Sequence, residues 1–89
     1  LAHSESARKA ARQSEKRAAR NKAVRTFYRD KIKECREAIA SGNRDSASQA
    51  FKAAMAAVAS AVSKGVLHKN AASRYISRLN LKLNQLSRK

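Results

Sequence analysis

Two glycines and no proline punctuate this chain of 89 residues. Glycine serves where a backbone must turn through positive φ, and proline breaks a helix outright. With such breaks only at Gly42 and Gly65, the chain divides into three long uninterrupted segments. Alanine is abundant and aromatic residues make up 4% of the chain, a composition suited to helices and not to sheets.

The first segment covers about residues 4–41. Ser4 can act as its N-cap with Glu5 just inside, and Gly42 suits the left-handed position after its last turn. The second covers about residues 44–64, with Asn43 as cap, Asp45 in the first turn and Gly65 as the stop. The third covers about residues 68–86. The connections are short, so neighbouring helices are expected to run antiparallel.

Each segment carries an apolar stripe at helical spacing. In the first it is Val24, Tyr28, Ile32, Cys35 and Ile39, with Phe27 beside it. In the second it is Ala47, Phe51, Ala54, Met55, Val58 and Val62, and in the third Ala72, Tyr75, Ile76, Leu79, Leu83 and Leu86. Val66 and Leu67 can close one end of the core, whereas Leu81 falls off the stripe. Three inward-facing stripes predict an all-α fold, a three-helix bundle.

The first segment is too long for that bundle. At ~1.5 Å per residue it would reach about 55 Å, against about 30 Å for each of the others. Between Ala2 and Ala23 there is no large apolar side chain to bury. The expected architecture is one domain, with residues 1–23 a projecting basic helix and residues 24–89 the bundle. A lone helix is marginal in water, so the projection should fray when free and become ordered when bound.

The charge follows the same division. The chain has a net charge of +15 and a pI near 11.2. Residues 1–25 hold eight basic and two acidic side chains, and residues 65–89 hold six basic and none acidic. Arg8, Arg12, Lys16 and Arg20 recur every four residues, and Lys9, Arg17, Lys22 and Arg25 widen that stripe to most of the circumference. A solvated charged face normally mixes signs, and this one does not. A rod with cations on several sides can touch more than one phosphate backbone at once.

The start of the third segment is also cationic. A cation near a helix start is unfavourable by roughly 0.3–1 kcal/mol, and a docked phosphate reverses the sign. Lys69 and Asn70 are candidate phosphate or ribose contacts, continued by Arg74 and Arg78 one helical turn apart. Three readings of His68 stay open: an N-cap, a ring stacked on sugar, or a buried residue satisfied by the loop.

Other features are plain. Cys35, Tyr28 and Tyr75 read as core, and Glu34 and Glu37 as surface partners of Lys33, Lys31 or Arg36. One cysteine cannot form an internal disulfide, and no Cys or His pair has metal-ligand spacing. No apolar run approaches ~18 residues, and no secretory signal is apparent. A first residue of Leu1 in place of methionine suggests a chain trimmed or processed at that end, loss of an organelle transit peptide being one cause. No catalytic constellation is visible, so no enzyme, cofactor, metal or small-molecule substrate is expected. The residues alone predict a basic helical bundle that binds nucleic acid and leave RNA and DNA open. A membrane-active helix would need large apolar residues that the projection lacks.

The runs "ARQSEKRAARNKAVRT" (11–26) and "SKGVLHKNAASR" (63–74) resemble the bacterial-type small-subunit ribosomal protein twenty family. Order, spacing and total length agree over nearly the whole chain, although Leu1 to Glu5 depart from the more basic start usual in that family. The resemblance implies a three-helix bundle that binds 16S-type rRNA directly and early in assembly, its long first helix lying among rRNA helices in the lower body of the subunit. It implies rRNA contacts at Arg8, Lys9, Arg12, Gln13, Lys16, Arg17, Arg20, Asn21, Lys22 and Arg25, and at Lys69, Asn70 and Arg74. Other small-subunit ribosomal proteins become candidate partners, and membranes do not. The implied location is the small ribosomal subunit, in a bacterial cytoplasm or a bacterial-type organelle such as the plastid.

Overall fold

The computed structural model describes residues 5–87. Ser4, the expected cap of the first helix, lies outside the described residues. Three helices follow one another: α1 Glu5–Ser41, α2 Arg44–Ser63 and α3 Lys69–Ser87. The described residues contain no strand. Their bounds fall within a residue or so of those expected, because the stops are local devices. Gly42 and Gly65 sit at φ +80° and +74°, where a β-carbon is strained.

Each junction is tied by hydrogen bonds that use up helix ends. After α2, the Gly65 N–H donates to the Val62 carbonyl at 3.0 Å and the Val66 N–H to the Ala61 carbonyl at 2.9 Å. This double bond pattern is a Schellman stop. After α1, the Gly42 N–H donates to the Ile39 carbonyl at 3.1 Å. Asn43 then caps α2, its Oδ1 accepting the Ser46 N–H at 3.1 Å.

The core comprises Tyr28, Ile32 and Cys35 from α1, Ala54, Ala57, Val58 and Ala61 from α2, Leu67 from the loop and Leu79 from α3. Tyr75 lies half-buried beside Tyr28, with ring centroids 6.1 Å apart and tilted by 54°. Cys35 is a free thiol with no exposed surface, and burial pushes its pKa up despite the opposing charge of Arg36. Tyr28 and Cys35 are core, as the sequence suggested, and Tyr75 packs half-buried against it.

The α2 stripe differs from expectation. Met55 is 38% exposed, while Ala57 and Ala61 are buried in full or nearly so. The small side chains of Ala54, Ala57 and Ala61 take the core positions, and Met55 lines the α2–α3 groove with Ala72, Ser73 and Ile76. Leu79 is the one fully buried large residue of α3, and Ala72, Tyr75, Ile76, Leu83 and Leu86 are half-buried. Phe27 and Leu81, off their stripes, are exposed.

α1 is 37 residues long against 20 and 19 for its partners. The surplus lies at its N-terminal end, which stretches the molecule to 68 × 21 × 14 Å. Residues 5–20 are exposed throughout. Asn21 is the first residue of α1 described as half-buried, and Val24 packs on the core.

Candidate nucleic-acid interface

Helical spacing alone displays the cations of α1. Every residue from 5 to 20 is exposed, and none of them joins the apolar core. Arg8, Lys9, Arg12, Gln13, Lys16, Arg17, Arg20, Lys22 and Arg25 are all exposed, and Asn21 is half-buried. Among the described residues the ion pair found is Lys31–Glu34, at 3.3 Å. None of the candidate cations belongs to it. Among the described residues their charge therefore has no ion-pair partner, and its field reaches into solvent over a Debye length of ~8 Å at physiological salt.

The second group stands at the α2–α3 connection and down α3. His68, Lys69, Asn70, Arg74 and Arg78 are exposed. Of the three readings of His68, the structure shows the N-cap and overturns the buried one. Its Nδ1 accepts the Asn70 N–H at 3.1 Å, and its carbonyl accepts the Ala72 N–H at 3.0 Å. His68 is thus the N-cap of α3, and not a buried residue. An accepting Nδ1 leaves Nε2 as the ring nitrogen able to donate. The Asn70 N–H is spent on this cap, so the first-turn amides left for an anion are those of Lys69 and Ala71. No acidic residue sits in that turn.

The first group reaches the α2–α3 turn that precedes the second, although His68, Lys69 and Asn70 do not themselves line the contact. Arg17, Arg20, Asn21 and Val24 of α1 face Lys64, Gly65 and Val66 across a cleft of about 470 Å³. Fold geometry brings the end of the first cationic run to the turn that opens the second. Arg8, Lys9, Arg12 and Lys16 are not part of this meeting, and neither are Arg74 and Arg78. Lys64 was absent from the candidate list drawn from sequence. Its signal was its place beside Gly65 within the second run. Phe27 was also passed over: its ring is exposed on α1, with the Lys31 ammonium 5.4 Å from its centroid.

No set of three or more His, Cys, Asp or Glu among the described residues could hold a metal. No described helix is long and apolar enough to cross a membrane.

Comparison with known proteins bears on what these cations meet. Residues 2–84 match the family described as Ribosomal protein S20. A protein from an Anaeromyxobacter species, named small ribosomal subunit protein bS20, is 54% identical over 79 residues, covering 89% of this chain and 88% of that one. Proteins of the same name from Azorhizobium caulinodans and Methylocella silvestris are 46% and 45% identical. They cover 98% and 97% of this chain, and 99% and 98% of their own length.

Proposed function

The chain belongs to the ribosomal protein S20 family, and from that premise we propose that it binds 16S-type rRNA directly and stabilises the packing of rRNA helices as the small subunit assembles. The family is ribosomal and structural, not enzymatic. The observation that carries the finer reading is the N-terminal half of α1. It is a rod with no large apolar side chain before Val24, covered in exposed cations that have no ion-pair partner among the described residues.

The mechanism is electrostatic. Two rRNA helices repel through their phosphates, and a cationic rod between them lowers that repulsion on both sides. Arg8, Arg12, Lys16 and Arg20 serve one side, and Lys9, Arg17, Lys22 and Arg25 spread the charge around the rod, with Gln13 and Asn21 as hydrogen-bonding groups. At the bundle, Lys69, Asn70, Arg74 and Arg78 contact a further stretch of backbone, and His68 presents the start of α3 to it. Few aromatic side chains are exposed, which favours recognition of phosphate, ribose and shape over reading of unpaired bases. Other small-subunit ribosomal proteins are neighbours in such an assembly.

The test is a protection footprint of the full chain on 16S rRNA, read across a salt series. With ~6–10 phosphates neutralised, affinity should fall by roughly 10³–10⁵ between 50 and 200 mM salt, taking the duplex-DNA rule as a guide. A localised footprint with that salt dependence supports the reading. Equal affinity for duplex DNA, or a salt slope near zero, overturns it.

A further inference from the structure

The cleft between α1 and the α2–α3 loop places like charges from remote parts of the sequence against one another. Arg17, Arg20 and Asn21 of α1 line one wall and Lys64 the other, and no carboxylate lines it. All three cations are exposed and outside the ion pair described above. In a chain with a net charge of +15, such convergence adds repulsion with no internal return. An anion in the cleft changes the sign of that term.

The loop's own amides do not supply the donors. The N–H groups of Lys64, Gly65, Val66 and Leu67 donate to the carbonyls of Ser60, Val62, Ala61 and Ala61 at 3.0, 3.0, 2.9 and 3.3 Å. The turn is therefore not a nest of free N–H groups, and recognition falls to side chains. Two guanidinium groups, an ammonium and an amide offer many donors and no carboxylate acceptor, a set that fits phosphate oxygens. Nothing lies within 4 Å of where a Gly65 β-carbon would stand, so the floor is open there. Val24 and Val66 add an apolar edge of the kind a ribose can rest against.

We infer that this cleft seats a backbone phosphodiester of the bound RNA, and that Lys64 is a contact residue alongside Arg17 and Arg20. The inference rests on the RNA-binding reading above and deepens it. A single phosphate held from both walls pins α1 to the loop. It thereby fixes the angle at which the projecting helix leaves the bundle.

The experiment uses the full chain and 16S rRNA, with binding measured against salt for the wild type, Lys64→Gln, Arg20→Gln, their double variant, and Lys52→Gln. Lys52 is an exposed lysine of α2 that does not line the cleft. Each cleft substitution is expected to weaken binding about 4–6-fold near 0.15 M salt and to lower the salt slope by up to about one unit. The double variant should lose less than the product of the single losses, since both side chains share one phosphate. Lys52→Gln and all melting temperatures should stay near wild type. Loss at Lys64 no greater than at Lys52, or losses that simply multiply, overturns the shared phosphate while leaving rRNA binding intact. Absence of salt-dependent rRNA binding in the wild type overturns the reading beneath it.

Discussion

α1 is one helix with two halves that stand on different physical footings. From Tyr28 onward it buries Tyr28, Ile32 and Cys35 against α2 and α3, and the charges of residues 26–41 nearly balance, four basic against three acidic. Over residues 5–20 every residue is exposed, and among the described residues its cations have no ion-pair partner. Backbone geometry is the same in both halves, so geometry is not what stabilises the helix. In the inner half, apolar burial supplies the free energy at ~25 cal/mol per Å². In the outer half, propensity alone must suffice, and an isolated helix of this length is marginal in water. The missing term for the outer half has to come from outside the chain, and a polyanion is what its charge selects.

The largest effect should come from removing the outer half. Deleting residues 1–20 takes away six cations. If each neutralises one phosphate, rRNA affinity near 0.15 M salt should fall by about 10³–10⁴-fold, while the melting transition of the bundle stays close to wild type. Binding assays and thermal melts followed by circular dichroism read the two quantities separately. Loss of the melting transition would break the comparison, because the core would then extend into residues 1–20. In the intact chain, hydrogen exchange should show the outer amides open without rRNA and protected with it.

The converse variant strikes the inner region. Leu79 is 2% exposed and is the largest fully buried side chain. Leu79→Ala should cost about 2–5 kcal/mol of folding stability, a large share of what a small bundle has. Arg12→Ala, on the outer half, should leave the melt unchanged and weaken rRNA binding several-fold. If Leu79→Ala and Arg12→Ala shifted both quantities alike, the two halves would not be independent. Measuring both on both variants sharpens the comparison beyond what the deletion gives.

The bounds of the helices and the Asn43 cap of α2 were legible in the sequence, because positive φ at Gly42 and Gly65 and the amide acceptor of Asn43 are local requirements; the His68 cap of α3 was one of three open readings. The inward face of α1 was legible for a related reason: its few large apolar residues fall on one stripe. The inward face of α2 was not. Eight of its twenty residues are alanine, which favours a helix equally on every face, so periodicity could not rank Ala57 and Ala61 above Met55. The cationic faces of α1 and α3 were read directly from charge spacing. The cleft was hidden, since it depends on where the α2–α3 loop crosses α1. Lys64 gains its meaning only when Arg17 and Arg20 stand opposite.

His68 belongs to both regimes, and it carries the smallest expected effect. As the N-cap of α3 it serves the bundle, and it stands next to Lys69 at the cationic patch. His68→Ala removes the acceptor for the Asn70 N–H and should cost about 0.5–2 kcal/mol of folding stability. His68→Asn keeps an acceptor at that position and should melt near wild type, asparagine being among the best N-cap residues. Comparing rRNA affinity for these two variants separates the roles. If the imidazole touches rRNA through Nε2, the asparagine variant binds more weakly although it folds normally. If it binds as tightly as wild type while the alanine variant suffers in proportion to its lost stability, His68 acts on RNA only by holding the start of α3 in place.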